Sequence, residues 1–172
     1  MLDIRLAKSR MENEEGMNHV WIHIPPLPVK YAHIQVYMPD GIGRAENLTG
    51  YFENEAGMIL LGTAAKGQDI LLEIYTSNPV PCGEYPLTIS LYYEDARGRQ
   101  KEVTHSLPLV LVAEEEMEDV LIDQGVVDQL KRLHDIQRQD DCIVMQPKTY
   151  EISSELAELE KKYRIDCRES MA

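Results

Sequence analysis

The feature that most constrains this chain is an alternation of apolar and polar side chains across residues 83–112. Between residues 85 and 93 every odd position is aliphatic or aromatic, whereas Thr88, Ser90 and Tyr92 hold the even positions. A strand with one buried face has this period of two, because successive side chains point to opposite sides. A polar turn containing Gly98 follows, and a second alternating run covers residues 103–111. The sequence therefore predicts a β-hairpin.

The chain before the hairpin predicts more short strands. Alternating or apolar runs occupy residues 2–6, 20–24, 32–38, 58–61 and 70–76, with turn residues rich in Pro and Gly between them. No helical period occurs before residue 113. This pattern predicts a mainly β fold, an antiparallel β-sandwich. Pro108 cannot donate a ladder hydrogen bond, so we expect an edge strand or a bulge there.

The hairpin also carries a family resemblance. Gly83-Glu84-Tyr85 enters its first strand, and Tyr92-x-Glu94-Asp95-x-x-Gly98 forms its turn. This pattern resembles the closing hairpin of bacterial immunoglobulin-like sandwich domains, the adhesion-type (CARDB-like) modules of surface-protein arrays. The resemblance implies an immunoglobulin-like fold in which Tyr85 is the tyrosine-corner residue, whose hydroxyl binds a loop backbone. It implies no catalytic residue, since such domains share architecture without sharing function.

Composition and period both change at Ala113, where the acidic run of residues 114–119 begins. We predict a sandwich over residues 1–113, an acidic linker over 114–122 and a short α-helical C-terminal extension over 123–172. Asp123 is expected to cap the first helix, and a second is expected at about residues 154–163. Helices this short need a surface to pack on. The residues expected to dock them are Val126, Leu130, Leu133, Leu156, Leu159 and Tyr163.

Charge and cysteine usage limit the class of partner and the compartment. The formal net charge is −13, and no cluster of Lys and Arg suits a nucleic-acid backbone, so we expect no nucleic-acid partner. The N-terminal residues lack the order of a secretory signal, and no apolar run approaches membrane-spanning length. Cys82, Cys142 and Cys167 are odd in number and widely spaced, which is typical of reduced thiols. We therefore expect a cytoplasmic protein without a membrane partner.

The candidate binding residues come from strand parity. If Val20, Ile22 and Ile24 are buried, their alternating neighbours point outward, and the same holds for the run at residues 32–38. Aromatic side chains on such a surface suit a protein interface. An equally open interpretation is that these side chains are covered by the chain's own helices, a loop or another sheet edge. The expected partner-binding residues are His19, Trp21, His23, Tyr31, His33 and Tyr37.

A metal site is the competing interpretation of the same residues. His19, His23 and His33 would share one face if their two strands were sheet neighbours. Residues i and i+4 of a flat strand lie about 13 Å apart, from a rise of about 3.3 Å per residue, which is too far for one tetrahedral ion. We therefore predict no metal and no cofactor.

These observations favour a non-enzymatic protein–protein interaction module, an adaptor or a subunit of a larger cytoplasmic assembly. Its partner would be another protein or a second copy of the chain. The alternative is a metal- or small-ligand-binding domain, open to hydrolytic chemistry, that uses the three histidines. A module of a surface-protein array is a third interpretation, which the cysteines oppose.

Overall fold

The computed structural model describes residues 2–29 and 31–141, with side chains through Arg138. The chain forms two compact units, residues 1–138 and 139–172, and the sandwich belongs to the first. The predicted domain limit at residue 113 stays a prediction. The expected second helix, with Leu156, Leu159 and Tyr163, lies outside the described residues.

Nine strands and one α-helix make up the described part of the chain, with a 3-10 helix (Glu114–Asp119) between strands and helix. The α-helix, α1, is Gln124–Asp141. The strands are β1 (Asp3–Leu6), β2 (Met11–Glu12), β3 (Met17–Ile24), β4 (Ala32–Tyr37), β5 (Ile42–Arg44), β6 (Met58–Gly62), β7 (Gln68–Thr76), β8 (Gly83–Glu94) and β9 (Gln100–Val112).

The strands form two sheets. The first has the order β1-β3-β7-β5 and the second the order β2-β9-β8-β4-β6. All pairs are antiparallel except β2 with β9. In this arrangement the first sheet corresponds to the A-B-E-D sheet of immunoglobulin domains and β9-β8-β4 to G-F-C. The fold is an immunoglobulin-like β-sandwich, so the predicted fold class and the predicted hairpin are confirmed.

The core between the sheets follows from the alternation in the sequence. Val20, Ile22 and Ile24 of β3 are fully buried, as predicted from their spacing. The hairpin contributes in the same way, with Leu87 and Ile89 fully buried. Each such side chain removed from water contributes roughly 1.5–3 kcal/mol. The aliphatic core is therefore what holds the two sheets face to face.

The link between β3 and β4 carries the chain from one sheet to the other. β3 pairs with β1 and β7, whereas β4 pairs with β6 and β8. The connecting residues Pro25 to Pro28 cannot extend a ladder, and Leu27 N donates instead to Ala64 O at 2.7 Å. β3 and β4 are therefore not sheet neighbours, and their outward His, Trp and Tyr side chains do not form a single surface. The outer face that these side chains would have shared as sheet neighbours is therefore divided between the two sheets.

Pro108 lies on an edge, as expected. It stands opposite Pro86 in the β8–β9 ladder. β8 pairs with one edge of β9, and β2 pairs with the opposite edge only at Leu111 and Val112. Along residues 100–110 that opposite edge has no partner among the described strands. The missing N–H of Pro108 therefore costs no ladder hydrogen bond.

Candidate functional site: the two outer faces

One candidate surface is the outer side of the first sheet, which carries His19, Trp21 and His23. Parity places these side chains away from the core, and all three are half-buried. α1 packs on this side of the sheet against Trp21. Val126 is fully buried in a cluster with Ala7 and Leu71, and Trp21, Leu48, Leu130 and Leu133 pack around it. We call this surface the helix-covered face; the predicted docking residues Val126, Leu130 and Leu133 all lie on it.

Backbone contacts hold the start of α1 against the sheet. Asp123 N donates to Ala7 O at 2.9 Å, and Ser9 N donates to Leu121 O at 2.9 Å. The Asp123 carboxylate then caps the helix, accepting from Gly125 N at 2.9 Å and Val126 N at 3.2 Å. The cap predicted from the sequence is confirmed, and it satisfies N–H groups that have no partner within the helix.

Polar contacts fix the orientation of the Trp21 indole. Its Nε1 donates to Asp69 Oδ1 at 2.9 Å, and His23 Nδ1 lies 2.8 Å from the same oxygen. The Arg5 guanidinium lies 5.3 Å from the centre of the indole ring, within cation–π range. Asp69 and Arg5 are not among the predicted site residues, because they belong to neighbouring strands far from Trp21 in sequence.

His19 contributes to the same face. Its Nε2 lies 3.6 Å from Glu73 Oε2, on the adjacent strand. Burial lowers the pKa of His19 below its usual value, and the nearby Glu73 carboxylate does not fully offset that effect. His19, Trp21 and His23 thus all have partners within this chain.

The other candidate surface is the outer side of the second sheet, which carries Tyr31, His33, Tyr37 and Tyr92; we call it the tyrosine face. The Tyr37 and Tyr92 hydroxyls lie 3.1 Å apart and share a hydrogen bond. The His33 ring stacks on Tyr92 with 5.0 Å between centroids and 18° between planes. Tyr31 and Tyr37 remain exposed, by 69% and 49%. This side therefore carries two exposed tyrosine rings, of which Tyr37 is held by its contact with Tyr92.

The electrostatics of the tyrosine face follow from these contacts. Hydrogen bonding, first with Tyr37 and then with Glu102, raises the pKa of Tyr92 to about 12. Partial burial lowers the pKa of His33 below its usual value. Near pH 7 this face therefore presents neutral rings and hydroxyls. Tyr92 is missing from the predicted binding residues, although its even position in the β8 alternation already placed it on the outer side.

The three-histidine alternative fails on geometry. His33 lies on the tyrosine face, whereas His19 and His23 lie on the helix-covered face, with the core between them. No group of three or more His, Cys, Asp or Glu residues within the described ranges is placed to hold a metal ion. The hypothesis of a shared imidazole site is wrong.

A buried ion pair lies in the loop after β5 and was not predicted. Arg44 Nη2 bonds to Glu53 Oε1 and donates to Gly57 O at 2.7 Å. Burial raises the pKa of Glu53, but hydrogen bonds from Arg44 and Asn47 outweigh it and leave that pKa below its usual value. Both charges are thus satisfied within the loop, and their role is to fix its shape.

Comparison with known proteins gives likeness at the level of fold. No protein-family model matches the sequence, and no curated protein does. Among solved structures, BcpA, the major pilin subunit of Bacillus cereus, is similar with a TM-score of 0.46 and 10% identity. That alignment covers 66% of this chain and 40% of BcpA, so the chain spans less than half of that protein.

Two fimbrial subunits are similar over nearly their whole length. AggB, the minor subunit of aggregative adherence fimbriae type I from Escherichia coli, has a TM-score of 0.37 and 14% identity, covering 63% of this chain and 99% of AggB. Self-complemented MyfA, the major subunit of Myf fimbriae from Yersinia enterocolitica, has a TM-score of 0.36 and 8% identity, covering 63% of this chain and 98% of MyfA. At these values the likeness concerns the sandwich alone.

Proposed function

We propose that this chain is a non-enzymatic protein-interaction module, an adaptor or subunit of a larger assembly, that binds its partner through the tyrosine face. The observation that carries the proposal is the contrast between the two sheets. α1 packs over Trp21 on the first sheet, whereas Tyr31 and Tyr37 are exposed on the second. Exposed, rigid aromatic rings are the side chains that contribute most at protein interfaces.

The geometry of the tyrosine face suits binding. The Tyr37 and Tyr92 hydroxyls share a hydrogen bond, and His33 stacks on Tyr92, so these three rings are already ordered before a partner arrives. Ordering side chains on association costs roughly 0.5–1.5 kcal/mol each, and a preformed surface avoids that cost. Leu60, 40% exposed on β6 beside His33, adds apolar area.

The proposed location is the cytoplasm. The support is the cysteine usage, three in an odd and widely spaced set, with Cys82 a free and exposed thiol. None of the helices in the described ranges has both the length and the apolar character needed to cross a bilayer.

Site-specific crosslinking tests the proposed surface. A photoreactive phenylalanine analogue replaces Tyr37 in the full-length protein, and a matched protein carries it at Tyr75, an exposed position on the first sheet. We expect a discrete crosslinked protein or dimer in the native host from position 37 but not from position 75. The Tyr31→Ala variant should weaken that product. Equal products from both positions, or none from position 37, would overturn the proposal.

A further inference from the structure

The tyrosine face carries charge of one sign. Outward positions on its strands follow from the alternation with the buried residues and from the pairing register. The charged side chains at these positions in β4, β6, β8 and β9 are Glu84, Glu94 and Glu102, and none of the described outward positions is a Lys or Arg. The face thus combines aromatic rings with uncompensated carboxylates.

Two basic side chains of the described hairpin do not neutralise this face. Lys101 stands opposite Tyr93 in the β8–β9 ladder, and this position is on the core side of the sheet rather than on the tyrosine face. Arg99 lies in the hairpin, where its Nε is 3.1 Å from Asp95 Oδ2. Among the described residues, neither Glu94 nor Glu102 forms an ion pair with a Lys or Arg side chain, so both carboxylates can accept a cation from a partner.

A depression of about 260 Å³ lies where the aromatic rings and a carboxylate meet. It is lined by Tyr31, His33, Tyr92, Tyr93, Glu94 and Gln100. Glu94 N donates to Tyr31 O at 3.2 Å, which joins the start of β4 to the end of β8 and fixes the two sides of the depression. His33 covers one side of Tyr92, so the exposed Tyr31 ring offers the freer aromatic surface.

We propose that this depression binds an arginine side chain of a basic, extended segment of the partner protein. The inference rests on the proposed function and names the chemistry of the partner. The guanidinium stacks on the Tyr31 ring and donates to the Glu94 carboxylate, while a second basic side chain of the segment meets Glu102. A planar guanidinium can stack and form a forked hydrogen bond at once, which an ammonium cannot.

The charge distribution also selects against other protein partners. An acidic segment would face Glu84, Glu94 and Glu102 across a partly dehydrated interface, and an apolar segment would take those carboxylates out of water without supplying a cation. A basic segment removes both costs. The net charge of −13 adds long-range attraction that speeds encounter at low salt.

The test uses the full-length protein and two synthetic peptides. One peptide alternates Thr and Arg, and the other has citrulline, the neutral isostere, in place of every Arg. Amide chemical shifts are followed by NMR during titration at low salt. We expect shifts confined to residues 31–33, 92–94 and 100–102, with the Arg peptide binding about tenfold more tightly than the citrulline peptide.

Paired variants separate this site from general attraction to an acidic protein. Glu94→Gln with Glu102→Gln should abolish the tenfold preference, whereas Glu114→Gln with Glu115→Gln, which removes the same charge from the exposed 3-10 helix, should preserve it. Equal binding of both peptides, absence of binding, or equal losses in the two double variants would overturn the inference. The proposed function would still stand if position 37 crosslinked to a partner segment without Arg.

Discussion

Trp21 and Asp69 are joined by a 2.9 Å hydrogen bond between the indole nitrogen and a carboxylate oxygen on the neighbouring strand. The same oxygen lies 2.8 Å from His23 Nδ1, so one carboxylate orients two rings. This fixed indole is part of the surface that α1 covers. The helix-covered face therefore acts as an internal docking site, and that role leads to the first two predictions.

Trp21→Ala should leave the sandwich folded and loosen α1. The change removes an aromatic contact of Val126, Leu130 and Leu133 but no residue of the inter-sheet core. We expect a loss of about 2 kcal/mol in helix docking, below the range for a fully buried Trp because Trp21 is half-buried. Hydrogen exchange should accelerate in residues 124–133 and stay unchanged in β8. Unfolding of the whole sandwich would contradict this assignment, and Tyr31→Ala is the matched aromatic deletion on the other sheet.

Val126→Asp should undock the helix from the opposite side of the contact. A carboxylate cannot remain at this fully buried apolar position, so the helix must separate from Leu71 and Trp21. Trp21 is the single Trp of the chain, and its fluorescence should shift to longer wavelength. Ile136→Asp, on the same helix but 58% exposed, is the control and should leave the emission unchanged. An unshifted spectrum in Val126→Asp would show that α1 does not cover the indole.

Mild acid should destabilise the protein through two histidines. Burial lowers the pKa of His19 and His33, so between about pH 7 and pH 5 the unfolded chain binds more protons than the folded one. The free energy of unfolding should therefore fall as pH falls through this window. The slope per histidine should stay well below about 1.4 kcal/mol per pH unit, because both rings are partly solvated.

Urea unfolding at several pH values measures that slope. His19→Gln and His33→Gln should each flatten it, and His134→Gln, an exposed position on α1, serves as the control. The pKa values of the Glu53 and Asp95 carboxyls are also lowered in the folded protein. Their contribution to the free energy of unfolding is therefore fully present above the usual carboxyl range, and it is lost only at more acidic pH than the histidine window. A slope that survives both histidine changes would contradict the assignment.

Tyr85→Phe should cost about 0.5–1.5 kcal/mol, the usual net value of a hydrogen bond. The Tyr85 hydroxyl donates to Pro81 O at 2.7 Å, which is the tyrosine-corner contact implied by the family resemblance. The bond is solvent-accessible, so water can satisfy Pro81 after the change and the lower end of that range is expected. Thermal unfolding measures the effect, with Tyr31→Phe as the control. An unchanged melting temperature would show that this bond contributes nothing to stability.

Tyr37→Phe should lower the pKa of Tyr92 from about 12 toward its usual value near 10. The hydrogen bond between the Tyr92 and Tyr37 hydroxyls is the largest cause of the elevated value, and the change removes it. An alkaline NMR titration of labelled tyrosine carbons gives the pKa directly. Tyr75→Phe, on the other sheet, should have no effect. A Tyr92 pKa that stays near 12 in Tyr37→Phe would mean that the two hydroxyls do not interact.

The sequence by itself determined which side of each strand is buried. Alternation places Val20 and Ile34 inward because a branched aliphatic side chain gains free energy on leaving water and its neighbour must then point the other way. The same local logic gave the hairpin, the edge position of Pro108 and the Asp123 cap, since each depends on residues close together in the chain. The family resemblance supplied the Tyr85 contact.

Only the tertiary structure decided which strands are neighbours. The alternation of apolar and polar residues in β3 would be the same whether β3 paired with β4 or with β7. It depends on which face of the strand is buried and not on which strand lies beside it. The crossing at Pro25 to Pro28 sends His23 and His33 to opposite outer faces, which separates the predicted binding residues into a helix-covered set and an exposed set. Asp69 and Tyr92 acquire their roles in the same way, because their partners lie on strands distant in sequence and are brought within hydrogen-bond distance by sheet pairing.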